Sequence, residues 1–406
     1  MNGVVRPAAD WELARFLQDS SARGSSVEIV GGATKRDAGR PPFAENLLST
    51  HVMRGVRFHY PNELVMSAQA GTLLSDIEHD LASQNQMLAF EPVDLGPLLG
   101  TQAGMGTIGG AIAAGVSGSR RIAAGGARDH VLGIKAVTGG GEIFQSGGRV
   151  LKNVTGYDIA RIVIGSWGTL ATMTEVTFKV LPVPEETATL VIVGLSNDLA
   201  IEAMSAAMAT PYDITGAIHI ESALVSHLRQ DEFRAAGDSI TAFRLENFSA
   251  FLPRRIGELQ NALKTYGDVH VATNAASRSF WSELQQLSVF LPSSLPVWRI
   301  STTPNRGGEL AAGIQRYMDA HAYFDWAGGL IWLTVPDAAD AGSTDIRRVL
   351  ASHGGHATLI RAGEEVRGSV DVFQPMDHGQ ERLTRALKRV FDPAGILNPG
   401  RMYSDL

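Results

Sequence analysis

The chain has 406 residues, a formal net charge of −7, and 44% hydrophobic against 19% charged side chains. That balance fits an ordinary globular protein of two or three domains with ample core material, and its mild acidity argues against sequence-independent nucleic-acid binding, which needs a positive field. With no cysteine in the sequence, disulfides, a Cys-ligated iron–sulfur cluster and a Cys-ligated structural zinc are excluded on this chain.

The first residues, MNGVVRPAADWELARFL, lack the apolar centre of a signal peptide. No apolar run approaches the roughly 18 residues that a membrane helix needs. The default expectation is a cytoplasmic protein that meets the inner membrane only through partners. Residues 8–17 read as a short amphipathic helix. SVEIVG at 26–31 reads as a buried strand ending in a glycine pair, and LVMSAQA at 64–70 as another. Residues 75–83 support a helix, with Leu74, Ile77 and Leu81 on one face.

Between Gly100 and Gly118 the chain carries seven glycines in nineteen residues. Alanines fill most of the remaining places, so this is not a Gly/Ser linker. It reads as backbone packed closely against a large flat group or against phosphates. Gly104-x-Gly106-x-x-Gly109 formally matches the dinucleotide fingerprint. A Rossmann site, however, needs an apolar strand just before the glycines, and EPVDLGPLLGTQA stands there instead.

From residue 131 to 181 the pattern is short strands. Gly139-Gly140-Gly141 separates two of them as a hairpin turn. TEVTFKVLP alternates, with Val176, Phe178 and Val180 facing one way. Pro182 and Pro184 then punctuate the chain, and a domain boundary is expected near Glu185. Residues 186–375 alternate strand-like and helical runs, which predicts an α+β domain with an antiparallel sheet and helices on one face. The tail, 376–406, offers a helix over 381–390 with Leu383, Leu387 and Val390 aligned, followed by FDPAGILNPGRMY.

Two further segments carry chemistry. Gly31-Gly32-Ala33-Thr34-Lys35-Arg36 follows a buried strand. Its consecutive N–H groups can form an anion nest with a hydroxyl and a cation beside it; a plain β-turn with a solvated Lys-Arg pair is the alternative. VLKNVTGYDIARIVIGSWG places Lys152, Asn153, Tyr157 and Asp158 before an apolar stretch. Alone, that segment reads as structural, with Asp158 capping a turn.

Taken together, the ordered motifs GGATKR, GTIGGAIAAGVSG, KNVTGYDIARIVIGSWGTLATMTEVTFKVLP and FDPAGILNPGR resemble the FAD-binding segments of the vanillyl-alcohol oxidase/p-cresol methylhydroxylase superfamily. Within it, GSWG, VLKNVTGYD and HATLIRA are most similar to the FAD-binding E subunits of bacterial glycolate oxidases. The resemblance implies an α+β fold: an FAD domain over 1–185 in two subdomains, a cap domain over 186–375, and a tail, 376–406, that completes the cofactor site.

It also implies non-covalent FAD, since no histidine occupies the phosphate loop. The implied cofactor residues are Gly31, Gly32, Ala33, Thr34, Lys35 and Arg36; Gly104, Gly106, Thr107, Ile108, Gly109, Gly110, Ala113, Ser117, Gly118 and Arg120; Asn153, Gly156, Tyr157, Asp158, Gly168 and Thr169; Thr174, Glu175 and Val176 at the adenine end; and Asn398 near the flavin. Ala33 and Ala171 stand where the family usually has glycine. If position 33 needs a positive φ, its alanine is strained. The implied partners are a larger flavin subunit and an iron–sulfur subunit of a glycolate oxidase complex. A stand-alone D-2-hydroxy-acid dehydrogenase and a non-catalytic flavin scaffold are the rival readings.

Oxidation of a 2-hydroxy acid needs a cation for the carboxylate, a base for the hydroxyl proton and a hydride acceptor. Arg299, mid-strand in VWRIST, is the best carboxylate ligand, with an outward-facing sheet arginine as the bland alternative and Arg361 as a second cation. His353 and His356 in SHGGHATLIR are the base candidates; otherwise they mark a helix end and a strand start. Trp281, Trp298, Trp326 and Trp332 are expected in the core or at an interface. The HxGDGNxH-like metal motif of related D-2-hydroxy-acid dehydrogenases is absent, so no metal site is expected.

Overall fold

The computed structural model describes residues 3–149 and 158–406. The chain forms two compact units. The first comprises Met1–Ser117, Gly125–Val183 and Pro375–Leu406; the second comprises Gly118–Ala124 and Pro184–Gln374. The seven residues Gly118–Ala124, read from sequence as the end of the FAD segment, therefore belong to the second unit.

In the first unit, a small parallel sheet orders Val4–Val5, Asn46–Ser49 and Val27–Val30. The helix Asp10–Arg23 buries Leu13 and Leu17 in one cluster with Val27 and Leu48. Gly24, at φ 64°, ends that helix in the left-handed conformation typical of a C-terminal stop. An antiparallel sheet of five strands runs Val56–Tyr60, Val65–Gln69, Ala171–Lys179, Val131–Thr138, Ile143–Gly147. Its central strand Ala171–Lys179 turns Val176 and Phe178 into a core shared with Ile77, Leu81, Ile108 and Ile112. The period-2 alternation of TEVTFKV is thus a core-facing stripe.

The tail returns to this unit. The helix His378–Phe391 opens on a capping box formed by Asp377 and Gln380. The chain beyond it then adds to the small sheet: Val27 N–H donates to Ile396 O at 2.8 Å and Asn398 N–H to Val27 O at 2.9 Å. The apolar stripe expected to pack does not: Leu383 is 64% and Val390 74% exposed. The helix instead buries Phe391 and the stem of Lys388, whose ammonium donates to Thr169 O (2.8 Å) and Leu397 O (2.9 Å) and pairs with Asp392 (2.8 Å). A buried cation with three oxygen partners wins the inward face.

The second unit is one antiparallel sheet of eight strands, in the order His270–Thr273, Glu186–Val193, Ile240–Asn247, Ile214–Ile220, His321–Asp325, Leu330–Thr334, Val297–Ser301, His356–Arg361. His270–Thr273 and His321–Asp325 escaped the sequence reading because each is short and follows directly on a helical run. Paired residues in an antiparallel ladder share a face. Two adjacent rows therefore stand on one face: Asp325–Leu330–Ser301–His356 and Tyr323–Trp332–Arg299–Thr358.

Candidate functional site

The first unit holds a cavity of about 550 Å³ walled by Glu28–Arg36, Thr107, Gly110, Ala113, Ala114, Trp167, Asn398 and Arg401. A second cavity, of about 410 Å³, shares Ile29, Val30, Gly31, Gly110, Ala113 and Trp167 with it and reaches Gly168 and Ala171–Met173. The two form one cleft.

The glycines serve it in two ways. A Cβ on Gly31 would sit 2.2 Å from Thr107 Oγ1, and one on Gly32 only 1.8 Å from Met105 O. These two glycines let one loop lie against another. Gly109 answers to the sheet, where a Cβ would sit 2.7 Å from that of Ala70. Gly110 differs: a Cβ there would meet only Thr107 Oγ1, at 3.2 Å, and the position lines both cavities. Ala33 adopts φ 58°, so the alanine that replaces the family's usual glycine is held in the left-handed region at a cost of about 1 kcal/mol.

Asn398 is the keystone of the cleft. Its Oδ1 accepts from Ile29 N–H at 2.8 Å and its Nδ2 donates to Trp167 O at 2.7 Å. Arg401 ties the tail to the phosphate-type loop by donating to Arg36 O (2.8 Å) and Lys35 O. Arg401 and Trp167 lie inside the motifs NPGR and GSWG, but only the fold shows that they wall the cleft.

Two groups in the cleft wall fit a dinucleotide. The half-buried Lys35 ammonium has no hydrogen bond or ion pair among the described residues, and burial pushes it below the usual lysine range, partly offset by Asp94. Thr172 Oγ1 is buried without a hydrogen-bond partner and lines the second cavity. An anion for the ammonium and a polar group for the hydroxyl would satisfy both. Arg36, by contrast, is committed to Glu28 through two 2.8 Å bonds.

Other expected cofactor residues stand elsewhere. Gly104 (φ 77°) and Gly106 shape the neighbouring loop, and Ile108 is fully buried core. Ser117 Oγ accepts from Ala127 N–H, and Asp158 pairs with Arg161 in a local turn. Thr169 Oγ1 donates to Ser166 O. Thr174 Oγ1 donates to Lys135 O, Glu175 accepts from Ser67 Oγ, and Val176 faces the core. Asn153, Gly156 and Tyr157 lie outside the described residues. Gly118 and Arg120 belong to the second unit, where Arg120 makes a bidentate pair with Glu246 (2.7 and 3.0 Å). Arg244 and Arg120 together hold the buried Glu246 carboxyl down at about 2, against the cost of its burial.

The second unit carries a cluster of cations on the sheet face that bears Arg299. Arg299 has no hydrogen bond or ion pair among the described residues, and its Nε is buried without a partner. Burial and nearby Arg121 lower it to about 10, while Asp325 acts the other way. Trp326 packs under it, with the guanidinium carbon 5.1 Å from the ring centroid. His356 stands in the adjacent row, lowered by partial burial and then by Arg299, Arg121 and Arg347, which favours its neutral form.

The other candidates drop out of the cluster. His353 Nδ1 is engaged with Val349 O and Ser352 Oγ at a helix end, and Arg361 donates to Leu295 O and Phe290 O as a loop tie. Trp281, Trp298, Trp326 and Trp332 are all buried, and Trp326 differs in carrying two guanidiniums, those of Arg121 and Arg299, on its ring. No group of three or more potential metal ligands occurs among the described residues.

Comparison with known proteins places the fold and the family. A family model described as an FAD binding domain matches residues 1–147. The chain is 34% identical to glycolate oxidase subunit GlcE of Escherichia coli K12, over 98% of this chain and 99% of that one. It is 25% identical to a D-lactate dehydrogenase of Archaeoglobus fulgidus, over 99% and 91%. Among solved structures, 4-ethylphenol oxidase from Gulosibacter chungangensis shares the fold with a TM-score of 0.72 at 16% identity, covering 99% of this chain and 89% of that one. The chain belongs to the family of FAD-binding oxidoreductase subunits represented by glycolate oxidase subunit GlcE.

Proposed function

We propose that this chain is the FAD-binding subunit of a glycolate oxidase complex and oxidises a small 2-hydroxy acid such as glycolate. The carrying observation is that an unpartnered guanidinium, Arg299, and an imidazole, His356, stand in adjacent rows of one sheet face. Bound FAD supplies a two-electron acceptor. Arg299 binds the carboxylate through two N–H donors. His356, biased towards its neutral form by burial and then by its cationic neighbours, accepts the hydroxyl proton as the alcohol carbon gives up its hydrogen with the bonding pair.

In the cofactor cleft, Lys35 supplies the cation for the diphosphate, Thr172 a hydroxyl, and Gly31, Gly32 and Gly110 the bare backbone. Without cysteine, these 406 residues offer no iron–sulfur ligands of the usual kind. The onward electron acceptor therefore lies off this chain, and among a partner cluster, a quinone, oxygen or another flavin we assign it to an iron–sulfur subunit, with a larger flavin subunit beside it. No helix among the described residues is long and apolar enough to cross a membrane, so attachment to one would run through those partners.

The test is the visible spectrum of the purified chain under anaerobic glycolate. Bleaching of a bound flavin is expected. A bound flavin that stays oxidised until partner subunits are added would assign this chain to electron relay. A chain that cannot be loaded with FAD would overturn the assignment.

A further inference from the structure

Resting on the hydroxy-acid reading above, we propose that Arg121 is a second substrate-carboxylate ligand, forming with Arg299 a two-arginine clamp across the indole of Trp326. The Arg121 guanidinium carbon lies 4.3 Å from the Trp326 ring centroid, and that of Arg299 lies 5.1 Å from it. Two cations on one ring repel each other, and Arg299 is lowered first by its burial and then by Arg121. Neither has an ion-pair partner among the described residues. A carboxylate that acts on Arg299, Asp325, is engaged with Ser119 Oγ at 2.7 Å and Trp326 N–H at 2.6 Å. A carboxylate with one oxygen for each guanidinium would relieve the arrangement.

The local backbone is built to present these groups. Trp326 and Ala327 adopt φ 52° and 55° in succession, a strained conformation for non-glycine residues. Each of the three residues before Arg121 is pinned within the unit. Gly118 O accepts from Trp326 Nε1 at 3.0 Å, Ser119 holds Asp325, and Arg120 holds Glu246. The pins fix where Arg121 leaves the chain, which is the preorganisation a recognition group requires. Arginine–tryptophan stacking as mere packing is the competing account, and it requires no anion.

The experiment titrates glyoxylate, the expected product, calorimetrically into the FAD-loaded full-length chain in its oxidised form. Arg121→Gln is expected to weaken binding about 10- to 100-fold, the range for losing a charge-assisted hydrogen bond, and Arg121→Lys to recover part of it. Flavin spectrum and melting temperature should stay as in the parent chain. Arg299→Gln should weaken binding at least as much, and the double variant should lose less than the product of the two single losses. If Arg121→Gln binds within twofold of the parent while Arg299→Gln does not, the clamp is overturned and the hydroxy-acid reading stands. If the FAD-loaded parent binds neither glyoxylate nor glycolate, both fall together.

Discussion

The cofactor cleft of the first unit and the cation cluster of the second are built from opposite materials. The cleft is backbone: glycines that let loops touch, a helix of small residues, and an asparagine bridging two main-chain groups. The cluster is side chains drawn from two strands (Arg299, His356), the turn after a third (Trp326), the helix Ser343–His353 (Arg347) and the segment Gly118–Ala124 (Arg121), and its character is charge. A backbone site fails when one methyl too many enters it. A side-chain site fails when a charge is removed or a proton added. The cleft is therefore sensitive to volume and the cluster to electrostatics.

The largest expected effect tests the volume half of that contrast. Gly110→Leu should abolish flavin binding while the chain still folds, because a side chain there points into the cleft and meets only Thr107 Oγ1 at 3.2 Å. Flavin absorbance and a melting curve check this, and a fully yellow Gly110→Leu protein would break the comparison. Next is Asn398→Ala, which strands Ile29 N–H and Trp167 O. Denaturant unfolding should show a loss of roughly 2–4 kcal/mol, with flavin affinity falling alongside.

The third effect probes protonation in the second unit. His219 is 1% exposed and bonded to Thr241 Oγ1 (2.9 Å) and Asn197 Oδ1 (3.1 Å), and burial holds it at about 4. Its folded value lies below the ordinary 6.5, so the unfolded chain takes up the proton first. The associated stability is complete above pH 6.5 and is lost as pH falls towards 4, up to roughly 3 kcal/mol. Melting temperature against pH should show that slope, and His219→Gln should flatten it. The smallest effect is a gain. Ala33→Gly should stabilise the protein by about 1 kcal/mol by relieving the positive φ, and an unchanged or lower stability would count against strain at that loop.

The sequence carried the cleft well because its parts are local. A strand followed by glycines, a glycine–alanine run and an NPGR tail each keep their meaning within ten residues. What it could not carry is placement. Arg120 sits in a motif that the resemblance assigns to the cofactor, and nothing in GVSGSRRI marks where the chain leaves one unit for the other. Arg121 and Trp326 were missed as a pair because they are two hundred residues apart in sequence and meet only through the fold. The Leu383–Leu387–Val390 stripe satisfied helical periodicity, yet Lys388 claimed the buried face through its three oxygen partners. His356 could be told from His353 only once strand register set one beside Arg299 and the helix end claimed the other.

The seven residues Gly118–Ala124 also set a rule for dissecting the molecule. A cap fragment excised as residues 184–374 would carry every strand of the eight-stranded sheet and still be incomplete. It would lack Arg120, leaving the Glu246 carboxylate without its bidentate partner, and lack Ser119 against Asp325. Such a fragment would be a sheet with an unplugged socket, and supplying the peptide Gly118–Ala124 in trans should restore part of its lost stability.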